Sequence, residues 1–186
     1  MDPRPVVLVE GESDLIALCA LAARTRQDLA GVEIVALGGI TNLRAHALRL
    51  GPLGEGRRLL GLYDIGEERH VRRGLAAAGI PVAPDEGGPA RRDFHACVVD
   101  LEDELLRSLG PDGVEAVIDA AGDSTSLRLL AGMPAQRDWT REQVLRRFLT
   151  SQSGRKARYA RLCVQALDLD RAPAPLTAVL AAVAAT

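Results

Sequence analysis

The segment Val6-Val7-Leu8-Val9-Glu10-Gly11-Glu12-Ser13-Asp14 decides the fold class that we predict for this chain. Its first four residues are apolar and mostly β-branched, which is typical of a strand buried in a parallel sheet. The apolar run ends at Glu10-Gly11, and Ser13 is placed to cap a following helix. The next apolar residues lie at the spacing of one helical face: Leu15, Leu18, Cys19 and Ala22. The segment therefore predicts a strand, a turn and a helix.

The same alternation continues along the chain. Further strands are predicted over residues 32–37, 59–63 and 94–99. Helices are predicted over residues 42–50, 67–78 and 101–109, and a short strand from Ile80-Pro81 precedes a loop over residues 84–92. Strands that alternate with helices imply βαβ units with right-handed crossovers. We therefore predict an α/β fold with a mostly parallel sheet flanked by helices.

Beyond residue 110 the sequence predicts helices alone, ending in one near residues 176–185. The chain has 186 residues, which is enough for one domain with a helical appendage. We divide it into an α/β core over residues 1–110 and a helical C-terminal part over residues 111–186 that packs on the core. Trp139 is predicted to anchor that packing.

Composition narrows the class of protein. Hydrophobic residues make up 47% and charged residues 26% of the chain, as in soluble globular proteins, and no apolar run is long enough to span a bilayer. The apolar stretch before Glu10 is too short for a secretory signal, so we expect a cytoplasmic protein without a membrane partner. The three cysteines lie far apart and form no CxxC pair, which favours reduced, buried thiols over disulfides or a zinc ribbon.

Positive charge is concentrated in one segment, although the net charge of the chain is -2. Between positions 141 and 161 there are seven basic residues against one acid, Glu142. The basic residues are Arg141, Arg146, Arg147, Arg155, Lys156, Arg158 and Arg161. Such a segment is either a solvated helix face or a surface that contacts phosphate groups, and the sequence leaves both interpretations open.

Acidic residues gather around the ends of the predicted strands. Glu10, Asp64 and Asp100 each follow a strand directly. Glu102 lies two residues beyond Asp100, and Asp14 lies in the first turn of the first helix. In an open parallel sheet, ligands bind at the carboxyl ends of the strands, where the loops converge and helix N-termini add positive potential. We expect these acids to meet at that edge.

A cluster of carboxylates predicts a bound cation. Carboxylates held together repel one another and raise one another's pKa values, so a cation is needed to neutralise them. Oxygen ligands select Mg²⁺, Mn²⁺ or Ca²⁺ over zinc, and a pair of such ions suits phosphoryl displacement. Taken singly, the acids have plainer interpretations: Glu10 and Asp14 complement a helix dipole, and Asp64 forms a turn. Taken together, they predict a divalent metal site.

Four motifs resemble those of TOPRIM domains, which occur in topoisomerases, bacterial primases, RNase-type maturases and the nucleases of the overcoming lysogenization defect (OLD) family. They are, in order, VVLVEGESDLIAL, GLYDIGEE, VVDLEDEL and SGRKARYA. The first two are similar to the acidic TOPRIM motifs, and the last two resemble motifs of the OLD branch. The resemblance extends from Val6 to about Leu167 and implies a TOPRIM fold with a helical C-terminal extension.

The resemblance also implies a nuclease site with Mg²⁺ or Mn²⁺ as cofactor. The metal ligands that it implies are Glu10, Asp14, Asp64 and Glu102. The residues that it assigns to catalysis are Glu10 and Lys156. Beside Lys156, Arg155 and Arg158 are predicted to contact the phosphates of a nucleic acid.

The chain departs from the family pattern in two places. The second motif usually reads Asp-x-Asp, but Gly66 replaces the second Asp here, which leaves its metal position to Glu67 or Glu68. Asp100, where related nucleases carry a small polar residue, is a further candidate metal ligand. OLD nucleases also carry an ATPase domain ahead of the TOPRIM domain, and this sequence has no GxxxxGK[ST] motif. We therefore expect a stand-alone TOPRIM protein, with any ATPase on a separate partner chain.

Two classes of function follow from these motifs. The first is a divalent-metal-dependent nuclease that acts on nucleic acid, with DNA favoured over RNA. The alternative is a non-catalytic TOPRIM module that binds nucleic acid or a partner ATPase, and a phosphohydrolase of small molecules is a third possibility. The chain has two Phe, two Tyr and one Trp, too few for a base-stacking platform, so we expect contact with nucleic acid through phosphates. The strand preference and oligomeric state are not determined by the sequence.

Overall fold

A computed structural model describes residues 4–81, 93–152 and 154–185. In these residues four strands form one sheet, and every neighbouring pair in it is parallel. The strands are β1 (Val6–Val9), β2 (Glu33–Ala36), β3 (Leu59–Asp64) and β4 (Phe94–Cys97). Their order across the sheet is β2-β1-β3-β4. Ile80 and Pro81, where a short strand is predicted to open, are not in a strand, and residues 82–92, with the predicted loop over residues 84–92, lie outside the described residues.

Eight α-helices accompany the sheet in the described residues. They are α1 (Glu12–Thr25), α2 (Leu43–Leu50), α3 (Glu68–Ala77), α4 (Leu101–Ala120), α5 (Ser124–Ala131), α6 (Arg141–Thr150), α7 (Arg155–Ala166) and α8 (Ala174–Ala184). Short 3-10 turns cover Ile40–Asn42, Ile65–Glu67, Pro134–Gln136 and Leu169–Arg171. Within the described part of the chain, none of the helices combines the length and apolarity needed to cross a bilayer.

Strand β1 lies inside the sheet and is buried along its whole length, as its apolar sequence predicts. Because successive side chains of a strand point to opposite faces, Val7 and Val9 join one hydrophobic cluster and Val6 and Leu8 join another. The first cluster includes buried residues of α1, α4, α7 and α8, and the second those of α2 and α3. The predicted α/β fold, a parallel sheet covered by helices on both faces, is confirmed.

The start of α1 differs from the prediction. The residue at the N-cap is Gly11 rather than Ser13, and the Asp14 carboxylate accepts a hydrogen bond of 2.8 Å from the Gly11 N–H. The buried stripe of the helix passes through Leu18 and Leu21, so Cys19 faces outward and is exposed. The prediction of buried thiols is therefore right for the other two cysteines and wrong for Cys19.

The helical C-terminal part agrees with the prediction at the kink of α4 and departs from it at Trp139. The helix predicted over residues 101–109 ends as expected, because α4 consists of two helical segments separated by a kink at Gly110 (φ 72°), a conformation that glycine adopts readily, followed by Pro111. Helices α7 and α8 share one hydrophobic cluster with the strands, so the division at residue 110 stays a prediction. Trp139 is 39% exposed between Pro134–Gln136 and α6, so its predicted role as a packing anchor is wrong.

Candidate functional site

The parallel sheet brings the predicted acids to one edge. Glu10 directly follows β1, Asp64 ends β3, and Val9 pairs with Leu62, so both acids lie at the carboxyl ends of neighbouring strands. A cavity of about 330 Å³ opens there. It is lined by Glu10, Gly11, Glu12, Ser13, Asp14, Gly38, Gly39, Asp64, Leu101, Gly154, Lys156 and Ala157. The edge of the sheet, the first turn of α1 and the starts of α4 and α7 therefore enclose one site.

Asp14 is held at this site by the start of its own helix. Its side chain is 9% exposed, and the hydrogen bond from Gly11 fixes one of its oxygens. Burial raises the pKa of Asp14, while the Gly11 hydrogen bond and the charge of Lys156 partly offset the increase. Asp14 thus caps the helix. It also belongs to the acid cluster, which we define as Glu10, Asp14, Asp64 and Glu102.

Glu102 and Lys156 form an ion pair across the site. Lys156 Nζ lies 3.1 Å from Glu102 Oε2, and the Glu102 side chain is almost completely buried. Despite this ionic contact, neither Glu102 oxygen has a hydrogen bond of good geometry within the described residues. Burial raises the pKa of Glu102, and Lys156 lowers it by a smaller amount. For Lys156 itself, burial lowers the pKa, but the charges of Glu102, Asp14 and Asp100 outweigh that effect and raise it.

Burial and neighbouring negative charges destabilise the charged forms of Asp64 and Glu10. Burial and the charges of Glu10, Asp14 and Asp100 raise the pKa of Asp64 to about 7. Burial also raises the pKa of Glu10, with Asp14 and Glu67 adding to the increase. Glu10 Oε2 is buried without a hydrogen-bond partner in the described part of the chain. Such a concentration of poorly compensated negative charge favours the binding of a cation.

Asp100 has a different position. Its Oδ1 accepts a hydrogen bond of 2.8 Å from the Asp103 N–H and so caps α4, while its Oδ2 accepts hydrogen bonds from the Arg146 guanidinium. Both oxygens are therefore engaged within the protein. Its charge still acts on the site, because it contributes to the raised pKa values of Glu10 and Asp64. Its role as a metal ligand stays a prediction.

The two glutamates proposed to replace the missing second Asp have different surroundings. Glu67 is close enough to Glu10 to raise its pKa, and its carboxylate lies 3.0 Å from His70 Nδ1. Glu68 instead forms an ion pair of 3.4 Å with Arg72. Glu67 is therefore the better placed of the two to complete the acid cluster.

The residues predicted to contact phosphates are anchored within the helical part. Arg155 donates a hydrogen bond of 2.8 Å to Ser151 Oγ, and its guanidinium lies 4.1 Å from the ring centre of Phe148. Arg158 forms an ion pair of 2.6 Å with Asp123. These contacts give both arginines a structural role, and their contact with nucleic acid stays a prediction.

The donor set fits a divalent ion, although the side chains are not yet in ligand positions. Within residues 4–81, 93–152 and 154–185, no group of three or more His, Cys, Asp or Glu side chains is arranged to hold a metal ion as it stands. The physical reason is that Asp14 binds its helix, Glu102 faces Lys156 and Asp100 caps α4. The oxygens of Glu10 and Glu102 that lack hydrogen-bond partners among the described residues are nevertheless hard ligands of the kind that Mg²⁺ and Mn²⁺ prefer. Binding of an ion by several of these acids would therefore require their side chains to rotate.

Sequence reasoning missed a second cavity on the flank of the first. Its volume is about 420 Å³, and it is lined by Asp100, Trp139, Gln143, Arg146, Arg147 and Thr150. The basic run indicated that this segment is charged, but the sequence carried no signal that Trp139 and the arginines of α6 enclose a space beside Asp100. That arrangement depends on how α6 packs against α4.

Comparison with solved structures identifies the fold across the chain. The C-terminal region of the Xanthomonas campestris pv. campestris OLD protein is similar with a TM-score of 0.71 at 22% identity, covering 97% of this chain and 93% of that one. The C-terminal region of the Burkholderia pseudomallei OLD protein has a TM-score of 0.70 at 21% identity, covering 100% of this chain and 98% of that one. At this level of identity the similarity establishes the fold.

Sequence comparison also finds local similarity to SecA, the protein translocase subunit. The SecA of Heliobacterium modesticaldum is 37% identical over 82 residues, which are 44% of this chain and 9% of SecA. SecA 1 of Chlorobium chlorochromatii is 44% identical over 71 residues, 38% of this chain and 7% of that protein. The chain thus spans less than a tenth of the length of these curated relatives. A match to so small a part of SecA carries no inference about activity.

The match to a family model agrees with the fold comparison. Residues 4–51 match the TOPRIM domain of overcoming lysogenization defect protein-like proteins. These residues contain β1, α1 and the first acidic motif with Glu10 and Asp14. As the sequence resemblance predicted, residues 4–51 match an OLD-like TOPRIM domain, and the chain has the fold of OLD C-terminal regions.

Proposed function

We propose that this protein is a nuclease that hydrolyses phosphodiester bonds of nucleic acid with the help of Mg²⁺ or Mn²⁺. The observation that carries the proposal is the convergence of buried carboxylates with raised pKa values around one lysine at the carboxyl edge of the sheet. The match of the first motif to an OLD-like TOPRIM domain supports the same chemistry.

The proposed metal ligands are the acids of the cavity and of the start of α4. They are Glu10, Asp14, Asp64 and Glu102, with Asp100 as an additional candidate. Divalent ions bound there would stabilise the charge on the attacking and leaving oxygens of a phosphoryl displacement. Glu67 is the proposed substitute for the acid missing at Gly66, because it is the glutamate that acts on Glu10.

Lys156 is the proposed catalytic cation. Its side chain is 48% exposed, so the ammonium contacts Glu102 and also faces the open cavity. A cation in that place would offset the negative charge that develops on the phosphate in the transition state. Glu10 is proposed as a catalytic carboxylate besides being a ligand, since its buried Oε2 has no other hydrogen-bond partner in the described residues.

The proposed substrate is a polynucleotide, DNA rather than RNA. The positive side chains Arg146 and Arg147 beside the acid cluster are suited to a phosphate backbone. We retain a separate ATPase chain as a possible partner in this proposal.

The test is cleavage of supercoiled plasmid by the purified chain in Mn²⁺, with an RNA of similar length in a parallel reaction. We expect nicking or linearisation that EDTA abolishes and that Glu10→Gln reduces about 100-fold or more, because one catalytic group is removed without loss of volume. Glu142→Gln is the matched control, since Glu142 is an exposed glutamate on α6. Metal-dependent binding of plasmid without any cleavage would contradict the proposal and favour a non-catalytic binding module.

A further inference from the structure

The second cavity adjoins the acid cluster through consecutive residues of the chain. Asp100 lines the second cavity, and Leu101, the next residue, lines the first. Adjacent Cα atoms in a trans chain are about 3.8 Å apart, so both cavities reach the start of α4. The charge of Asp100 also reaches the acids of the first cavity, because it helps to raise the pKa of Asp64. A polymer bound over the acids and extended along the start of α4 would pass beside the second cavity.

An exposed indole forms one wall of this cavity. Trp139 is 39% exposed, and it belongs to neither hydrophobic cluster of the described residues. Its backbone is fixed by a hydrogen bond of 3.0 Å from its N–H to the Gln136 carbonyl, and the following Thr140 caps α6. A large aromatic side chain held in place at a cavity wall offers a flat apolar surface for a ring to stack on.

Two arginines with different contacts line the same cavity. Arg146 is bound to Asp100, and this pairing raises the pKa of its guanidinium. Arg147 is exposed and forms no ion pair within the described residues. Arg147 is therefore available to an anionic ligand, whereas Arg146 is already oriented by Asp100. The cavity combines an aromatic surface with a free cation, next to the polar side chains of Gln143 and Thr150.

From this arrangement we infer that the second cavity binds one unstacked nucleotide of the substrate strand, with its base on Trp139 and its phosphate at Arg147. This inference rests on the proposed function, and it assigns the substrate class as nucleic acid with an unpaired nucleotide beside the cleaved bond. The volume of about 420 Å³ is in the range of small-ligand sites and suits a single nucleotide rather than a duplex. Stacking on one indole is sequence-tolerant, because every base has a π-face.

The test uses the fact that Trp139 is the one tryptophan of the chain. Its fluorescence is measured while a single-stranded decanucleotide, a blunt duplex or a free mononucleotide is added in Ca²⁺, which takes the same oxygen ligands as Mg²⁺. We expect quenching by the single strand, with the duplex and the mononucleotide binding at least about 10-fold more weakly. By fluorescence anisotropy of a labelled strand, Trp139→Ala should raise Kd about 10-fold or more. Arg147→Ala should weaken binding and reduce the slope of its salt dependence by about one.

Arg161→Ala is the control, because Arg161 is an exposed arginine on α7 that lines neither cavity. Unchanged Trp139 fluorescence together with wild-type Kd in both cavity variants would overturn the inference, even in a protein that cleaves plasmid. Equal or tighter binding of the mononucleotide would overturn it too, in favour of a site for free nucleotides. Quenching by the single strand in a protein that never cleaves would support this inference and reject the proposed nuclease function.

Discussion

The acid cluster and the surroundings of Asp123 shift the pKa of a carboxylate in opposite directions. Asp123 accepts hydrogen bonds of 2.7 Å from the Tyr159 hydroxyl and 2.6 Å from Arg158, and the Tyr159 bond in particular lowers its pKa. Asp64 has burial and three like charges around it, which raise its pKa to about 7. Helix α7 contributes side chains to both sites, since it carries Tyr159 and Arg158 beside Asp123 and Lys156 beside the acid cluster.

The difference in pKa distinguishes a carboxylate with a structural role from one that is available to bind a ligand. The charged form of Asp123 is stabilised by the fold, so it ties α7 to the loop before α5. The charged form of Asp64 is destabilised by the fold, and a bound cation would remove that cost. Strongly raised pKa values in a cleft are typical of functional sites. The following predictions test this contrast, from the largest expected effect to the smallest.

The largest effect is expected from Lys156→Ala. Its ammonium is the cation that faces the cavity beside Glu102, so cleavage of plasmid in Mn²⁺ should fall about 100-fold or more while the fold is retained. Lys156→Arg should not restore the full rate, because a planar guanidinium cannot reproduce the compact ammonium. Arg161→Ala on the same helix is the control. Cleavage by Lys156→Ala at the wild-type rate with saturating substrate would remove Lys156 from the mechanism.

Asp64 should make the stability of the metal-free protein fall as pH rises. A raised pKa in the folded state means that its contribution to stability is fully present below its ordinary pKa and is lost as pH rises through about 7. Melting temperatures measured from pH 5 to 8 should therefore decline in EDTA, and Asp64→Asn should flatten that decline. Mn²⁺ at 100 times its Kd should add about 2.7 kcal/mol to the free energy of unfolding, most clearly at the alkaline end. An equal effect of Mn²⁺ on Asp64→Asn would show that Asp64 is not a ligand.

Gly66→Asp should strengthen the metal site. A Cβ at Gly66 would meet no atom of the described residues within 4 Å, so the start of a side chain has open space there. An acid there restores the family's Asp-x-Asp pattern, and we expect cleavage in Mg²⁺ to rise about 10-fold relative to cleavage in Mn²⁺, because Mg²⁺ demands the more complete octahedron. Glu67→Gln and Glu68→Gln are compared to test whether Glu67 is a metal ligand, with Glu68→Gln as the matched control. If Gly66→Asp changes nothing and Glu67→Gln abolishes metal binding, Glu67 already occupies that position.

The sequence predicted the strands and the meeting of the acids, because both depend on local patterns. A short, β-branched apolar run such as Val6–Val9 is typical of a strand buried inside a parallel sheet. Parallel strands place their carboxyl ends at one edge of the sheet. The features that the sequence could not predict depend on tertiary contacts. The pairing of Asp100 with Arg146 joins residues 46 positions apart, and no local pattern signals it. Trp139 was misassigned because a large apolar side chain is usually buried, whereas its loop leaves it exposed.

The smallest effect is expected from Tyr159→Phe, which tests the structural side of the contrast. Tyr159 is buried, and its hydroxyl donates the hydrogen bond that contributes most to the lowered pKa of Asp123. Removing the hydroxyl keeps the ring and its edge-to-face contact with Phe148, so the free energy of unfolding should fall by only about 1 kcal/mol.

The pH dependence of this loss distinguishes it from any effect at the acid cluster. Since the folded-state pKa of Asp123 is lowered, its stabilisation is present above its ordinary pKa and is lost as pH falls through the folded value. Tyr159→Phe should therefore be less stable than the wild type at neutral pH, and the difference should shrink in acid. The shift in melting temperature with Mn²⁺ should stay as in the wild type, because Asp123 lies outside the acid cavity. A reduced Mn²⁺ shift in Tyr159→Phe would mean that the two carboxylate environments are coupled through α7 rather than independent.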